Sequence, residues 1–418
     1  MKSTLDTHVL ERTKVPHENI IDRDVSGKRS HAKVSPTRRK MIISFFIVCV
    51  FVVSFVQLLM LQSLNSSESL PHPARIAVTP HDPILIVGNG DFEISDAVRG
   101  GSGTPSDPYI ISDWSIDATD MNGIYIIGTD VNFIIRNVTI NATLPNNDAI
   151  LLEGVTDAQI RNVTLTDCAR GIAMTTSCSR IVIDRSTIAN NTNSGIATQY
   201  GTTSFVDITN NVLSGNGGTG GTGIALDTTT GFNIAGNDVS KNDPSSLSRR
   251  AVTLTKCSSG VITGNNLSAI YNDALYCSAS QNIVVANNSF SSVWTYGIYM
   301  RECSGFLIYH NNFLGAIPHA FDNWGPENAW NASYPIGGNY WADYSGVDMM
   351  HGPNQDISGP DGIGDTDYVI DVNTTDHYPL MMSGIIEPIP EFPTPLLPII
   401  SVLALLFAVV RRSPRKDF

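Results

Sequence analysis

The stretch GIATQYGTTSFVDITNNVL, residues 195–213, decides the fold. It opens on a small residue followed by an aliphatic one, Gly195-Ile196, and alternates in polarity. It closes on an apolar residue, Leu213, two places after Asn211. The plan recurs eight times. The openings are Gly123-Ile124, Ala149-Ile150, Gly171-Ile172, Gly195-Ile196, Gly223-Ile224, Ala251-Val252, Ala274-Leu275 and Gly297-Ile298. The closing residues are Ile140, Leu165, Ile188, Leu213, Val239, Leu267, Phe290 and Phe313, spaced 23 to 28 residues apart. Self-similarity at this period marks a solenoid, in which no coil buries its apolar face alone.

Period-2 alternation inside each coil predicts strands rather than helices. An opening strand sends inward Ile196 and Thr198, a second sends inward Val206 and Ile208, and a third carries the closing residue. Every strand runs the same way round the coil, so pairing between coils is parallel. The expectation is an all-β, right-handed, single-stranded parallel β-helix of about eight coils over residues 123–320, with caps at 83–122 and 321–382. At a strand spacing of ~4.8 Å this rod is ~38 Å long. Asn211, Asn237, Asn265, Asn288 and Asn311 fall in one inward column, where stacked amides would bond one another along the axis. Asparagine also tolerates the left-handed backbone of a sharp turn.

Two apolar stretches bracket the rod. Met41 to Leu61 is long enough to span a bilayer. The forty residues before it carry ten Lys/Arg against five Asp/Glu, so the positive-inside bias predicts a cytoplasmic N-terminus, an uncleaved signal anchor and an extracellular rod. After linkers at 62–82 and 383–394, Pro395 to Val410 is again apolar and is followed by a basic tail, 411–418. The chain's formal net charge is −13, concentrated between these stretches, which disfavours nucleic acid and suits solubility and divalent cations. Nine Asn-x-Ser/Thr sequons occur, and the register turns Asn137, Asn162 and Asn287 toward solvent as glycosylation candidates. Five of six cysteines lie in the rod, without a C-x-x-C motif, and read as small packing residues.

Outside the repeats stand Gly100-Gly101-Ser102-Gly103-Thr104 and Asp107-Pro108-Tyr109-Ile110-Ile111 ahead of the coils. After them come Gly337-Gly338-Asn339-Tyr340-Trp341, Asp361-Gly362-Ile363-Gly364-Asp365 and Tyr378-Pro379-Leu380. With these segments the chain, over about residues 83–382, resembles a family of archaeal surface proteins built on right-handed parallel β-helix domains. The same domain type occurs in the NosD-type copper accessory protein and in many carbohydrate-active proteins. Pro390-Glu391-Phe392, the apolar run and the basic end are similar to an archaeal C-terminal sorting signal. The resemblance implies surface anchoring and carries no catalytic residue onto this chain.

Chemistry in a β-helix belongs to its outward columns. Asp184 and Asp207, outward on adjacent coils, are the candidate catalytic carboxylates, since such pairs serve glycoside hydrolysis. Arg161 beside Asp184 makes a surface ion pair the competing reading. Tyr276 and Tyr299 share an outward column, with Trp294 just ahead, and form a candidate carbohydrate-binding strip. The competing reading has the aromatic C-terminal segment covering that strip. Asp356, Asp361, Asp365 and Asp367 lie among glycines in one loop, which suits Ca²⁺, although the spacing is not that of an EF-hand. No cofactor is established, and Ca²⁺ is the one candidate. Met349-Met350-His351 and Met381-Met382 supply soft donors for copper without a set geometry.

These readings favour a membrane-anchored, non-catalytic surface protein presenting a rigid rod to a glycan or a cell-surface protein partner. A lyase or hydrolase of extracellular acidic polysaccharide is the alternative, and a copper accessory protein the second.

Overall fold

The computed structural model describes residues 78–218, 221–240, 250–268, 272–315, 318–323 and 327–384. They all belong to one of the chain's two compact units, residues 75–418. The leader, both apolar stretches read as anchors and the basic tail lie outside the described residues. Among the described residues no helix is long and apolar enough to cross a membrane.

Three parallel sheets wind into a β-solenoid. Sheet I runs from Ile84–Val87 through Ile124–Ile127, Ile150–Glu153, Arg170–Thr175, Ser194–Gln199, Thr222–Asp227, Arg250–Thr255, Leu275–Ser278 and Ile298–Arg301 to Ala320–Asp322. Sheet II collects the second strand of each coil, from Tyr109–Ser112 to Leu307–Tyr309, with an antiparallel edge strand at Val98–Gly100. Sheet III collects the third strand, from Trp114–Asp117 to Asn312–Phe313, flanked by Thr79–His81 and Tyr340–Trp341. The expected inward columns hold in register: Ile150 pairs with Ile172, Ile172 with Ile196, Val206 with Phe232, and Leu165 with Ile188.

The coil count is corrected to about nine. The segment expected to act only as an N-terminal cap supplies a complete coil. Its strands Ile84–Val87, Tyr109–Ser112 and Trp114–Asp117 pair with the first repeat's three strands. Residues 88–108, inserted between its first two strands, break the period and hid it. Within that insertion the one-turn helix Asp91–Ile94 turns Phe92 onto the end of the core, stacked on Tyr109 at 5.0 Å.

The small residue opening each coil has a steric cause. A Cβ at Gly171 would stand 2.4 Å from Ile188 Cγ2 and 2.7 Å from the Gly195 carbonyl oxygen. Each opening glycine thus faces its own coil's closing side chain across the corner between sheets III and I. At the corner between sheets II and III, Asp113, Asn137, Asn162, Arg185, Asn210, Asn287 and His310 all have positive φ, which explains the asparagines there.

The inward asparagines form a ladder. Asn211 donates from Nδ2 to Asn237 Oδ1 at 3.0 Å, and the bond repeats through Asn265, Asn288 and Asn311. Each Nδ2 also donates to a carbonyl of the preceding coil, as Asn265 does to Ile234 at 2.8 Å. The ladder runs one rung further than expected: Asn311 donates to Asn339 Oδ1 at 2.9 Å. Asn191 and Asn216 make a second, shorter ladder, joined at 2.9 Å. The cysteines Cys168, Cys178, Cys257, Cys277 and Cys303 are buried and unbonded to one another.

Candidate functional site

Sheet I presents one continuous outward column in its middle. Its C-terminal part reads Thr253, Tyr276, Tyr299 and Phe321, each in register with the next. Tyr276 and Tyr299 lie with ring centroids 5.6 Å apart and planes 8° apart, and Tyr299 and Phe321 lie 5.1 Å apart. Parallel rings this close overlap in an offset stack. Their faces therefore turn along the solenoid axis, and their edges and the tyrosine hydroxyls turn outward. Phe321 extends the strip and was missed, although it stands 22 residues after Tyr299 behind the same aliphatic spacing.

The start of the stack is fixed electrostatically. The Arg250 guanidinium lies 3.7 Å from the Tyr276 ring centroid, and its Nε is 3.3 Å from Asp273 Oδ2. Asp273 is buried and also accepts from Thr295 Oγ1 at 2.8 Å. Beside the stack, Tyr296 contacts both Tyr299 and Phe321, and Trp294 is 72 % exposed. The C-terminal segment reaches the end of the column, where Tyr368–Asp371 packs on Ala320–Asp322, but its described tryptophans go elsewhere. Trp330 and Trp341 plug the core, Trp341 stacking on Phe313 at 4.2 Å.

The same column is closed nearer the N-terminal end. Arg170 binds Asp148 through Nε and Nη2 at 2.8 and 2.7 Å, and Gln199 through Nη1 at 2.6 Å. Arg170 opens one strand and Gln199 ends the next, so the arginine stem crosses outward-facing Ala173 and Ala197, each only 1 % exposed.

The candidate carboxylates do not form an open pair. Asp184 was expected to face solvent beside Arg161. The two are register partners, but the Asp184 side chain is buried against its own corner. It accepts from Thr209 Oγ1 at 3.0 Å and Asn210 Nδ2 at 3.2 Å, and its recorded ion pair is with Arg185 at 3.5 Å. The corner hydroxyl and amide of the next coil draw it in. Asp207 is exposed and sits opposite Val182 and Asn233, with desolvation holding its carboxyl above the ordinary value.

The acidic loop does not converge either. Asp365 is spent on the backbone N–H groups of Met349 and Met350, and Asp361 Oδ1 on that of Ile363. Asp367 faces His377 at 2.9 Å. Asp356 joins no group: among the described residues no three His, Cys, Asp or Glu side chains are placed to hold a metal ion. Carboxylates capping tight-turn amides explain the loop's composition without Ca²⁺. Of the sequon asparagines, Asn162 and Asn287 are exposed, whereas Asn137 is half-buried. Asn137 donates to Asp113 at 3.1 Å, and Asn162 donates to Asn137 at 2.7 Å.

Two family models match parts of the chain: "Right handed beta helix region" over residues 99–248 and "Periplasmic copper-binding protein (NosD)" over residues 200–346. Together with the three parallel sheets, the first match gives these residues the right-handed β-helix fold. No curated protein matches it. Among solved structures it is similar to the enzymatically active domain of bacteriophage CBA120 tailspike protein 2, at 12% identity and TM-score 0.40, over 57% of this chain and 38% of that one. The mannuronan C-5 epimerase AlgE4 A-module of Azotobacter vinelandii aligns at 14% identity and TM-score 0.37, over 52% of this chain and 74% of that one. DFA-IIIase from Arthrobacter chlorophenolicus A6 aligns at 13% identity and TM-score 0.37, over 54% and 58%. The chain spans well under half the length of the tailspike domain.

Proposed function

We propose that this is a non-catalytic surface protein, anchored in the cell membrane by its apolar stretches, whose β-helix displays a carbohydrate-contact strip at Tyr276, Tyr299, Phe321 and Trp294. The half-buried aromatic stack on sheet I carries the reading: Trp330 and Trp341 of the C-terminal segment plug the core instead of lying over it. Tyrosine edges and hydroxyls in a row, next to an exposed indole, suit the mixed apolar and hydroxylated edge of a sugar chain lying along the axis. Of the sequons, Asn287 is the acceptor we favour, since the Asn137 and Asn162 amides are already engaged. The test is a glycan array with detergent-solubilised full chain, paired with a reducing-sugar release assay on the bound glycans. Binding without release, reduced at least tenfold in Tyr276→Ala/Tyr299→Ala, is the expected result. Release of reducing ends would replace the reading with an enzyme, and equal binding by the double variant would remove the strip.

A further inference from the structure

The asparagine ladder ends on a buried acid. Asp376, in the hairpin strand Thr374–Asp376, is 0 % exposed. Its Oδ2 accepts from the Asn339 backbone N–H at 2.7 Å, from Trp341 Nε1 at 2.9 Å and from Asn339 Nδ2 at 3.4 Å. Its Oδ1 accepts from the Tyr378 N–H at 3.0 Å. One carboxyl group therefore joins the last rung, the tryptophan that plugs the core and the segment leaving the hairpin. We propose that the C-terminal cap is an acid-tightened closure of the solenoid core, with Asp376 as its clasp.

The sign follows from desolvation. Closing the cap takes the carboxyl out of water, which costs far less for the neutral acid than for the carboxylate. Burial accordingly raises Asp376 from 3.8 to about 6, while the four N–H donors limit the rise. A cap swung open returns the group to its ordinary value. The closed form binds the proton more tightly, so closure is favoured in acid and weakens as pH rises through the folded value.

Other titratable groups face this region from each neighbouring element. Tyr368, on the hairpin's first strand, stacks on Trp341 at 4.3 Å and donates to Asp343 at 3.0 Å. His319 Nε2 approaches the same Asp343 oxygen at 3.0 Å, without the alignment of a hydrogen bond. Asp322 receives Trp330 Nε1 at 3.3 Å, Asp371 receives the Asp322 N–H, and His377 faces outward to Asp367. His319 opposes Asp376. Burial lowers it, so it favours closure as pH rises toward its ordinary value.

Amide hydrogen exchange of the full chain between about pH 4.5 and 7.5, corrected for intrinsic exchange, tests the proposal. The reporters are the N–H groups of Gly338, Leu380 and Tyr378, which bond Tyr378 O, Asn339 O and Asp376. Asn237 and Asn265, in the middle of the ladder, are the controls. Cap protection should fall by roughly 25-fold across this range while the controls stay level. Asp376→Asn should abolish the fall, and His319→Gln should steepen it. Cap protection that is flat or increases with pH in the wild type overturns the proposal, as does an unchanged slope in Asp376→Asn. If Asp376→Asn fails to fold, the wild-type and His319→Gln profiles decide.

Discussion

A single hydrogen-to-methyl change tests the corner of the coil. A Cβ at Gly195 would meet the Gly223 carbonyl oxygen at 2.7 Å, Leu213 Cδ2 at 2.9 Å and Asn216 Nδ2 at 3.1 Å. The first of these is a backbone atom held in a parallel ladder and cannot yield. Gly195→Ala should therefore cost about 1–3 kcal/mol in chemical denaturation, although alanine stands in the same column at Ala251 and Ala274. Ala251→Gly should cost under ~1 kcal/mol. The pattern of small residues was legible as a pattern; its cause was not, since it needs the distance between a coil's first and last strands. The sequons show the reverse. Asn137, Asn162 and Asn287 sit where the corner demands a left-handed residue, and Thr139, Thr164 and Ser289 stand in an outward column of sheet III. Between them Val138, Val163 and Asn288 are buried. The corner and the sheet generate an Asn-x-Ser/Thr triplet by themselves, so the motif's presence carries less weight than its count suggested.

At the scale of the element, the ladder converts a column of amides into a continuous buried polar chain. Removing one rung strands several groups at once. Without Asn265, the Asn237 N–H and Nδ2 both lose their acceptor, and Asn288 Oδ1 and Ile234 O lose a donor. Asn265→Ala should cost about 3 kcal/mol or more, while Asn266→Ala, next to it and exposed, should cost under ~1 kcal/mol. Urea midpoints of the two variants, compared with wild type, provide the check. Five rungs could be read from sequence because one spacing, two residues before the closing position, holds asparagine in five consecutive coils, after Val138, Val163 and Ser186 in the first three. Asn339 obeys that spacing ahead of Trp341, but tryptophan inside a cap does not announce itself as a closing residue. Asp376 lies 37 residues beyond Asn339, and no local pattern links them. The aromatic strip divides in the same way. Alternation placed Tyr276 and Tyr299 together, whereas the direction of their faces depends on Arg250 and Phe321 at the two ends of the stack.

For the whole molecule the decisive property is translation along one axis: each coil contacts only its neighbours, and every column continues through the next. Excising a full coil should therefore be tolerated better than deleting one residue. Removing residues 172–195 joins Gly171 to Ile196, which occupies the register position of Ile172. The cut then brings Asn211 beneath Val163 in place of Ser186, whose N–H it now accepts, and Asn216 beneath Cys168 in place of Asn191. The ladder from Asn211 onward stays whole, the Asn191–Asn216 bond is lost with Asn191, and Arg170 keeps Asp148. Deleting Ala173 alone instead moves Met174 into an outward position and sends Thr175 toward the core, against neighbours that remain in register. The excised protein should unfold cooperatively, with a urea m-value lower by about one coil's share of the buried surface. The single deletion should lower the denaturation midpoint further than the excision does. Equal or greater loss in the excised protein would mean that the coils are not interchangeable units and that stability resides in particular pairs of neighbours.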